Sequence, residues 1–276
     1  MLCANYTSAT SVENGKAETL IFLHGLLGDG SDWNDVVSEL TDYNILTIDL
    51  PGHGGSRAVS CDGFEHCCAL IQDAIRHGLP EKKGLPEEKP QQPLFLIGYS
   101  LGARIMMYGL THNGFSQLNI GGGVIEGGNF GLDSEQEKQT RFINDQAWAR
   151  RFQQESIEQV LFAWYGQPVF SSLNPEQKQH MVQKRSHNQG KAVADMLLAT
   201  SLAKQPYLLN QLRQCDIPVH YLCGTQDKKF SELAKQSGLS FTCVENAGHN
   251  AHSDQPRHYA TLIRTIVTQI QTKQLE

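Results

Sequence analysis

Leu94-Phe95-Leu96-Ile97-Gly98-Tyr99-Ser100-Leu101-Gly102-Ala103-Arg104 is the stretch whose reading decides the fold. Residues 94–97 form an apolar run of strand length, and Gly98-Tyr99-Ser100-Leu101-Gly102 fits G-x-S-x-G. In that pattern the flanking glycines remove side chains that would clash at a strained strand-to-helix turn. Ser100 is then exposed at the tip, and the backbone N–H of Leu101, opening the next helix, can help hold a negative oxygen. A serine in a glycine-rich turn is often only a turn residue, so the pentapeptide needs its context. That context is an apolar strand before it, a helix-like run at 104–110 after it, and partners elsewhere in the chain.

Upstream, Thr19-Leu20-Ile21-Phe22-Leu23 reads as a buried strand ending in His24-Gly25-Leu26-Leu27-Gly28-Asp29, with Trp33, Val36, Val37 and Leu40 at helical spacing beyond. Residues 44–48 give another strand, ending at Asp49-Leu50-Pro51-Gly52-His53-Gly54-Gly55-Ser56, and Phe64, Cys68, Ile71 and Ile75 mark one helix face. Residues 79–93, rich in proline, lysine and glutamate, form an exposed connector. Strands alternating with helices predict an α/β fold with a mostly parallel, doubly wound sheet and ligands beyond the strands' carboxyl ends. His24, Asp49, Ser100 and Glu126 all fall at or just past such ends.

After the glycine-rich strand ending at Glu126 the pattern changes. From about 131 to 206 there is no convincing strand, only helical segments rich in Gln, Arg, Lys and aromatics, which predicts a helical lid inserted into a core of residues 1–130 and 207–276. Alternation then resumes with a strand at 219–223 ending in Gly224-Thr225-Gln226-Asp227 and a short helix at 231–236. A strand at 241–244 ends in Asn246-Ala247-Gly248-His249, and Tyr259, Ile263, Ile266, Val267 and Ile270 give a closing amphipathic helix.

A chain of 276 residues, 39% hydrophobic and 19% charged, is long enough to bury a full core as one or two domains. A net charge of −6 argues against nucleic acid as a partner and makes any anion site local. Residues 1–18 lack an apolar signal segment, and no stretch is apolar enough for a membrane span. Seven cysteines at irregular spacing point to a reducing compartment rather than a disulfide framework, so a cytoplasmic protein, monomeric or weakly homo-oligomeric, is expected.

A serine is inert at neutral pH until a base takes its proton, and an acid must orient the base. On this fold the chain order is Ser, Asp or Glu, then His. His249, ending a late strand, is the favoured base, with His252 as the alternative. Asp227, in a polar turn after a clear strand, is favoured over Glu126 as the acid. His24-Gly25-Leu26 after the first strand supplies the other oxyanion donor, the N–H of Leu26 pairing with that of Leu101, whereas His53 reads as a turn stabiliser. Arg104 starts the turn after Ser100 on the same helix face, where it suits an anionic substrate better than an apolar ester.

Together these features resemble the α/β-hydrolase fold, which by itself fixes no reaction. A closer resemblance is carried by Asp49 to Ser56, Gly98 to Arg104, Val124-Ile125-Glu126-Gly127-Gly128, Trp164-Tyr165 with Gln167-Pro168-Val169-Phe170, Arg185-Ser186 and Ala247-Gly248-His249-Asn250-Ala251-His252. These words resemble the 2-succinyl-6-hydroxy-2,4-cyclohexadiene-1-carboxylate synthase family of menaquinone biosynthesis, apart from Ala103, where a second glycine is expected. The resemblance implies a lyase that eliminates pyruvate from a small tricarboxylate without cofactor or metal. It puts Ser100, Asp227 and His249 at the triad positions and Arg104, Arg141 and Arg185 at carboxylate-binding positions, with Tyr99 and Trp164 lining the pocket. The rival reading is an ester or thioester hydrolase acting through an acyl-Ser100 intermediate.

Overall fold

Alternating apolar side chains build the sheet. In the computed structural model, which describes residues 1–11, 17–80 and 92–275, most of the connector expected at 79–93 lies outside the described residues. The strands are β1 (Ala4–Thr7), β2 (Thr19–Leu23), β3 (Asn44–Ile48), β4 (Leu94–Tyr99), β5 (Ile120–Glu126), β6 (Val219–Gly224) and β7 (Ser240–Val244). They form one sheet in the order β1-β3-β2-β4-β5-β6-β7, parallel except where β1 runs antiparallel to β3. From β2 the chain passes to β3 on one side and returns to β4 on the other. This makes the carboxyl ends of β2 and β4 a topological switch point, where such sheets open a crevice.

The helices are α1 (Asn34–Val37), α2 (Phe64–Gly78), α3 (Leu101–Thr111), α4 (Glu135–Gln154), α5 (Ile157–Trp164), α6 (Pro175–Arg185), α7 (Gly190–Ala199), α8 (Leu209–Arg213), α9 (Lys228–Ser237), α10 (Ala251–Asp254) and α11 (Pro256–Leu275). Successive residues of β2 serve opposite layers, as a period of two requires. Ile21 and Leu23 join Ile71 and Ile75 of α2 and Ile105 and Met106 of α3. Leu20 and Phe22 join Trp33, Val36 and Tyr259, Ile263 and Val267 of α11.

Two local expectations shift. The helix expected around residues 33–40 is a 3-10 turn, Gly30–Trp33, followed by the single turn of α1, because Asp29 caps the 3-10 turn through Ser31 N–H and sets its start. β1 has no counterpart in the sequence reading; its four residues pair only along one edge and have no fully buried side chain to announce them.

Between β5 and α8 the described chain is helical, with α4 to α7 and short 3-10 turns at Pro168–Phe170 and Leu202–Lys204. Ser134 caps α4, and Asn174 with Gln177 forms a reciprocal capping box at the start of α6, where Pro175 has no N–H to lose. These helices share an apolar cluster of their own, in which Phe152, Val160, Leu161, Tyr165, Val182, Val193 and Leu197 gather around Leu27 from the loop after β2.

Candidate active site

Ser100 follows β4 and caps α3 with φ 49° and ψ −104°, a positive-φ conformation that a side chain-bearing residue adopts only at a cost. Both neighbouring glycines are required there. A Cβ on Gly98 would lie 2.7 Å from the backbone nitrogen of Ala103, and one on Gly102 would overlap the carbonyl oxygens of Leu23 and His24. The turn is held by Ser100 N–H donating to the Glu126 carbonyl (2.8 Å) and Gly102 N–H donating to that of His24 (3.1 Å). The serine is partly exposed while the strand leading to it is buried.

Asp227 begins α9, its Oδ1 accepting the Phe230 N–H at 3.3 Å while Oδ2 lies 2.7 Å from Nδ1 of His249. With Nδ1 committed to the carboxylate, Nε2 is the ring nitrogen left to accept a proton. The imidazole is buried against the rings of Phe230 (4.7 Å between centroids), Tyr99 (5.4 Å) and Phe170 (6.1 Å). Gly127 lies so close that a Cβ would be 2.8 Å from the imidazole Cε1. Because Gly127 follows the residue whose carbonyl holds Ser100, and Tyr99 precedes Ser100, the ring sits against both segments that shape the elbow.

The two alternatives weighed from sequence pair with each other. Glu126 accepts the His252 N–H at 3.1 Å, both its carboxylate oxygens lie 2.9 Å from His252 Nδ1, and both side chains are buried.

On the other side of Ser100 the loop after β2 is fixed by neutral histidines. His24 donates through Nδ1 to the Gly25 carbonyl (2.7 Å) and accepts the Leu50 N–H at Nε2 (2.9 Å). His53 likewise donates to the Pro51 carbonyl (2.9 Å) and accepts the Leu27 N–H (3.0 Å). Burial pushes both histidines down, His53 to about 3, with the neighbouring His24 adding to its shift. Asp49 takes N–H groups from Gly30 and Gly55, each at 2.7 Å. Leu27 adopts φ 70°, and a Cβ on Gly25 would come within 2.6 Å of Tyr99 and 3.5 Å of the Ser100 Cβ. Leu26 therefore adjoins the elbow, and the N–H of Leu101 is one of the first-turn donors that a helix leaves outside its own ladder.

None of the three arginines stands in bulk solvent, and each already has a protein partner. Arg104 donates from Nε to Gln205 (2.7 Å) and from Nη2 to the Thr200 carbonyl (2.6 Å), with its guanidinium 5.4 Å from the Phe64 ring centre. Burial, with the like charge of Arg141, pushes Arg104 down to about 9. Arg141, a third exposed, pairs with the buried Asp145 at 2.7 Å, whose other oxygen accepts from Ser201 Oγ. Arg185 is buried on Asp32 at 2.6 Å, with the Tyr165 side chain beside it. Among the described residues its buried Nε and Nη1 make no hydrogen bond of good geometry.

Tyr99 is buried, its hydroxyl donating to Asn250 at 2.5 Å. Trp164 packs edge-on against Trp148 (5.0 Å) and beside Phe152 (5.6 Å) within the helical insertion. Sequence reading missed Asp32 and Asp145, the carboxylates that hold two of the arginines, and Lys229, whose ammonium lies 5.4 Å from the Phe230 ring centre. Burial and Arg141 push Lys229 down, and Asp227 opposes them. Among the described residues no group of His, Cys, Asp or Glu is arranged to hold a metal ion, and no helix is long and apolar enough to cross a membrane.

A family model described as alpha/beta hydrolase family matches residues 20–260. The 2-succinyl-6-hydroxy-2,4-cyclohexadiene-1-carboxylate synthase of Serratia proteamaculans is 41% identical over 263 residues, covering 94% of this chain and 98% of that one. The enzyme of the same name from Yersinia enterocolitica is 42% identical over 250 residues, covering 91% of this chain and 86% of that one. Among solved structures, MenH from S. aureus superimposes with a TM-score of 0.84 at 24% identity, covering 97% of this chain and 98% of that one. An esterase from Thermogutta terrifontis gives 0.73 at 18% identity, covering 98% and 93%. At these identities both structures speak for the fold alone.

Proposed function

The chain belongs to the 2-succinyl-6-hydroxy-2,4-cyclohexadiene-1-carboxylate synthase family of the α/β hydrolases, and from that membership we infer that it is a lyase eliminating pyruvate from 2-succinyl-5-enolpyruvyl-6-hydroxy-3-cyclohexene-1-carboxylate. In this reading Ser100, His249 and Asp227 carry the chemistry. Ser100 Oγ removes the proton next to the succinyl carbonyl while passing its own proton to Nε2 of His249. Asp227 holds the imidazole in the tautomer that can receive it and stabilises the charge that forms. The resulting enolate oxygen lies in the hole offered by the N–H groups of Leu26 and Leu101. As the enolate collapses through the ring double bond, the C–O bond to the enolpyruvyl group breaks. Pyruvate leaves as its enolate and is protonated.

Residues 131–206 act as a lid over the strand ends in this proposal. Arg104, Arg141 and Arg185 receive the substrate's carboxylates, and Tyr99 and Trp164 line the pocket. The observation supporting an anionic substrate is Arg185, a buried guanidinium whose Nε and Nη1 make no well-formed hydrogen bond among the described residues, with only the Tyr165 side chain beside them. A buried N–H without a partner costs about 1–3 kcal/mol, which a bound carboxylate relieves. The like charges of Arg104 and Arg141 are eased in the same way.

The deciding experiment compares pyruvate release from the enolpyruvyl substrate with hydrolysis of simple carboxylic and thioesters by the same preparation. Pyruvate release should dominate by orders of magnitude. Efficient ester turnover with no pyruvate released would favour the acyl-serine hydrolase.

A further inference from the structure

The second histidine–carboxylate pair lies directly beneath the elbow, and the proposed reaction does not use it. We propose that Glu126 and His252 are positioning residues that hold the turn carrying His249 against Ser100.

Glu126 holds Ser100 through its backbone and, through its side chain, the turn that carries His249. Its backbone carbonyl accepts the Ser100 N–H at 2.8 Å, and its carboxylate accepts the His252 N–H at 3.1 Å and faces the ring Nδ1 at 2.9 Å from each oxygen. Tyr99 makes a parallel connection. Its hydroxyl donates to Asn250 (2.5 Å), and its ring packs against the imidazoles of His249 (5.4 Å) and His252 (4.7 Å). Trp33 also packs on His252, at 4.4 Å. The polar side chains at 249, 250 and 252 are thus fixed from three neighbouring strand ends, by Asp227 after β6, Tyr99 on β4 and Glu126 on β5.

Stability alone does not explain the arrangement. A carboxylate and an imidazole buried at 0% and 3% exposure pay for desolvation, and an apolar pair of similar volume serves stability as well or better. Two oxygens receiving a backbone N–H and a ring nitrogen of one residue give orientation, which an apolar pair does not. A displacement of about 1 Å at a reacting group costs on the order of 10² in rate.

The inference rests on reading Ser100 and His249 as the proton-transfer pair. Its test measures kcat and KM for pyruvate release in Glu126→Gln, His252→Ala and His252→Asn, together with the low-field proton resonance of His249 Nδ1–H, assigned by its loss in His249→Ala. Glu126→Gln and His252→Ala should lower kcat by about ten- to a hundredfold with KM within about twofold, and should move or broaden the resonance. His252→Asn, whose amide nitrogen replaces Nδ1 as donor, should recover most of kcat. The inference is overturned by folded Glu126→Gln and His252→Ala proteins with wild-type kcat, by a loss of kcat with the resonance unmoved, or by a folded His252→Asn as impaired as His252→Ala. Should His252→Ala not fold, Glu126→Gln and His252→Asn decide by the same readouts. Inactive Ser100→Ala alongside a fully active Glu126→Gln sinks this inference alone, whereas an active Ser100→Ala sinks the triad reading and this inference with it.

Discussion

Nη2 of Arg185, the last residue of α6, donates to Oδ2 of Asp32 across 2.6 Å, joining the helical insertion to the loop that follows β2. Lys184 reaches the other oxygen at 3.0 Å, and Asn188 donates to the Leu27 carbonyl at 2.9 Å, so the same part of the insertion also grips the loop carrying Leu26.

The pair makes a pH-dependent contribution to stability. Burial opposes ionisation of Asp32, but the charge and hydrogen bond of Arg185, together with the charge of Lys184, more than offset it and hold the carboxyl well below its usual range. A carboxyl depressed in this way stabilises the fold fully above its unfolded pKa of about 3.9 and loses that contribution as the pH falls through its folded value. Asp32→Ala should therefore cost roughly 3–5 kcal/mol in urea unfolding at neutral pH, since it leaves a buried guanidinium unpaired, and the difference from wild type should shrink in strong acid. It should also raise KM, because Arg185 loses its anchor. An equal difference at both pH values would contradict the linkage.

Removing any one triad member should reduce pyruvate release by orders of magnitude. Asp227→Asn keeps the shape but no longer fixes the right imidazole tautomer, and a loss of about 10⁴ in kcat is expected. Ser100→Ala/His249→Ala should be little worse than the poorer single variant, because the residues act as one unit. Steady-state rates of the four proteins check this, and additive losses would speak against a shared step.

No covalent intermediate should form during turnover. Ser100 moves a proton and makes no ester, so the intact mass of the protein quenched with its substrate should equal that of the free chain. A mass increase located at Ser100 would move the enzyme to the acyl-serine class.

Arg104→Lys should raise KM for the tricarboxylate more than it lowers kcat. Lysine keeps the charge but cannot donate to both Gln205 and the Thr200 carbonyl while offering a fork to substrate. For the wild-type enzyme, whose net charge of −6 leaves attraction of an anion to the local arginines, moderate salt should raise KM by screening that attraction. A salt-independent KM would argue that these arginines do not meet the substrate.

Gly102→Ala should damage the fold itself. The added methyl overlaps carbonyl oxygens at the end of β2, which are backbone and cannot rotate away. A loss of about 1–3 kcal/mol or more is expected in thermal or urea unfolding. A variant as stable as wild type would show that β2 and α3 can separate.

Much of this was legible along the chain. Residues 94–104 imply the elbow because only glycine fits where a strand turns straight into a helix, and at Gly98 and Gly102 an added Cβ would indeed meet backbone. Parallel strands, the helical stretch after β5 and the closing helix α11 follow from hydrophobic periods that backbone geometry imposes locally. β1 was invisible because a four-residue edge strand carries no such period.

Pairing was decided only by tertiary structure. Glu126 and Asp227 both follow strands, and His249 and His252 share one turn, so the sequence permits either match. The sheet order puts the end of β5 next to β4 and that of β6 one strand farther out. The turn after β7 crosses both, so that His252 meets Glu126 and His249 meets Asp227. Arg185 meets Asp32 from 153 positions away for the same kind of reason. Periodicity and turn chemistry act between neighbours in the chain and can be read there, whereas the partner of a buried charge depends on which loops the packed sheet brings together.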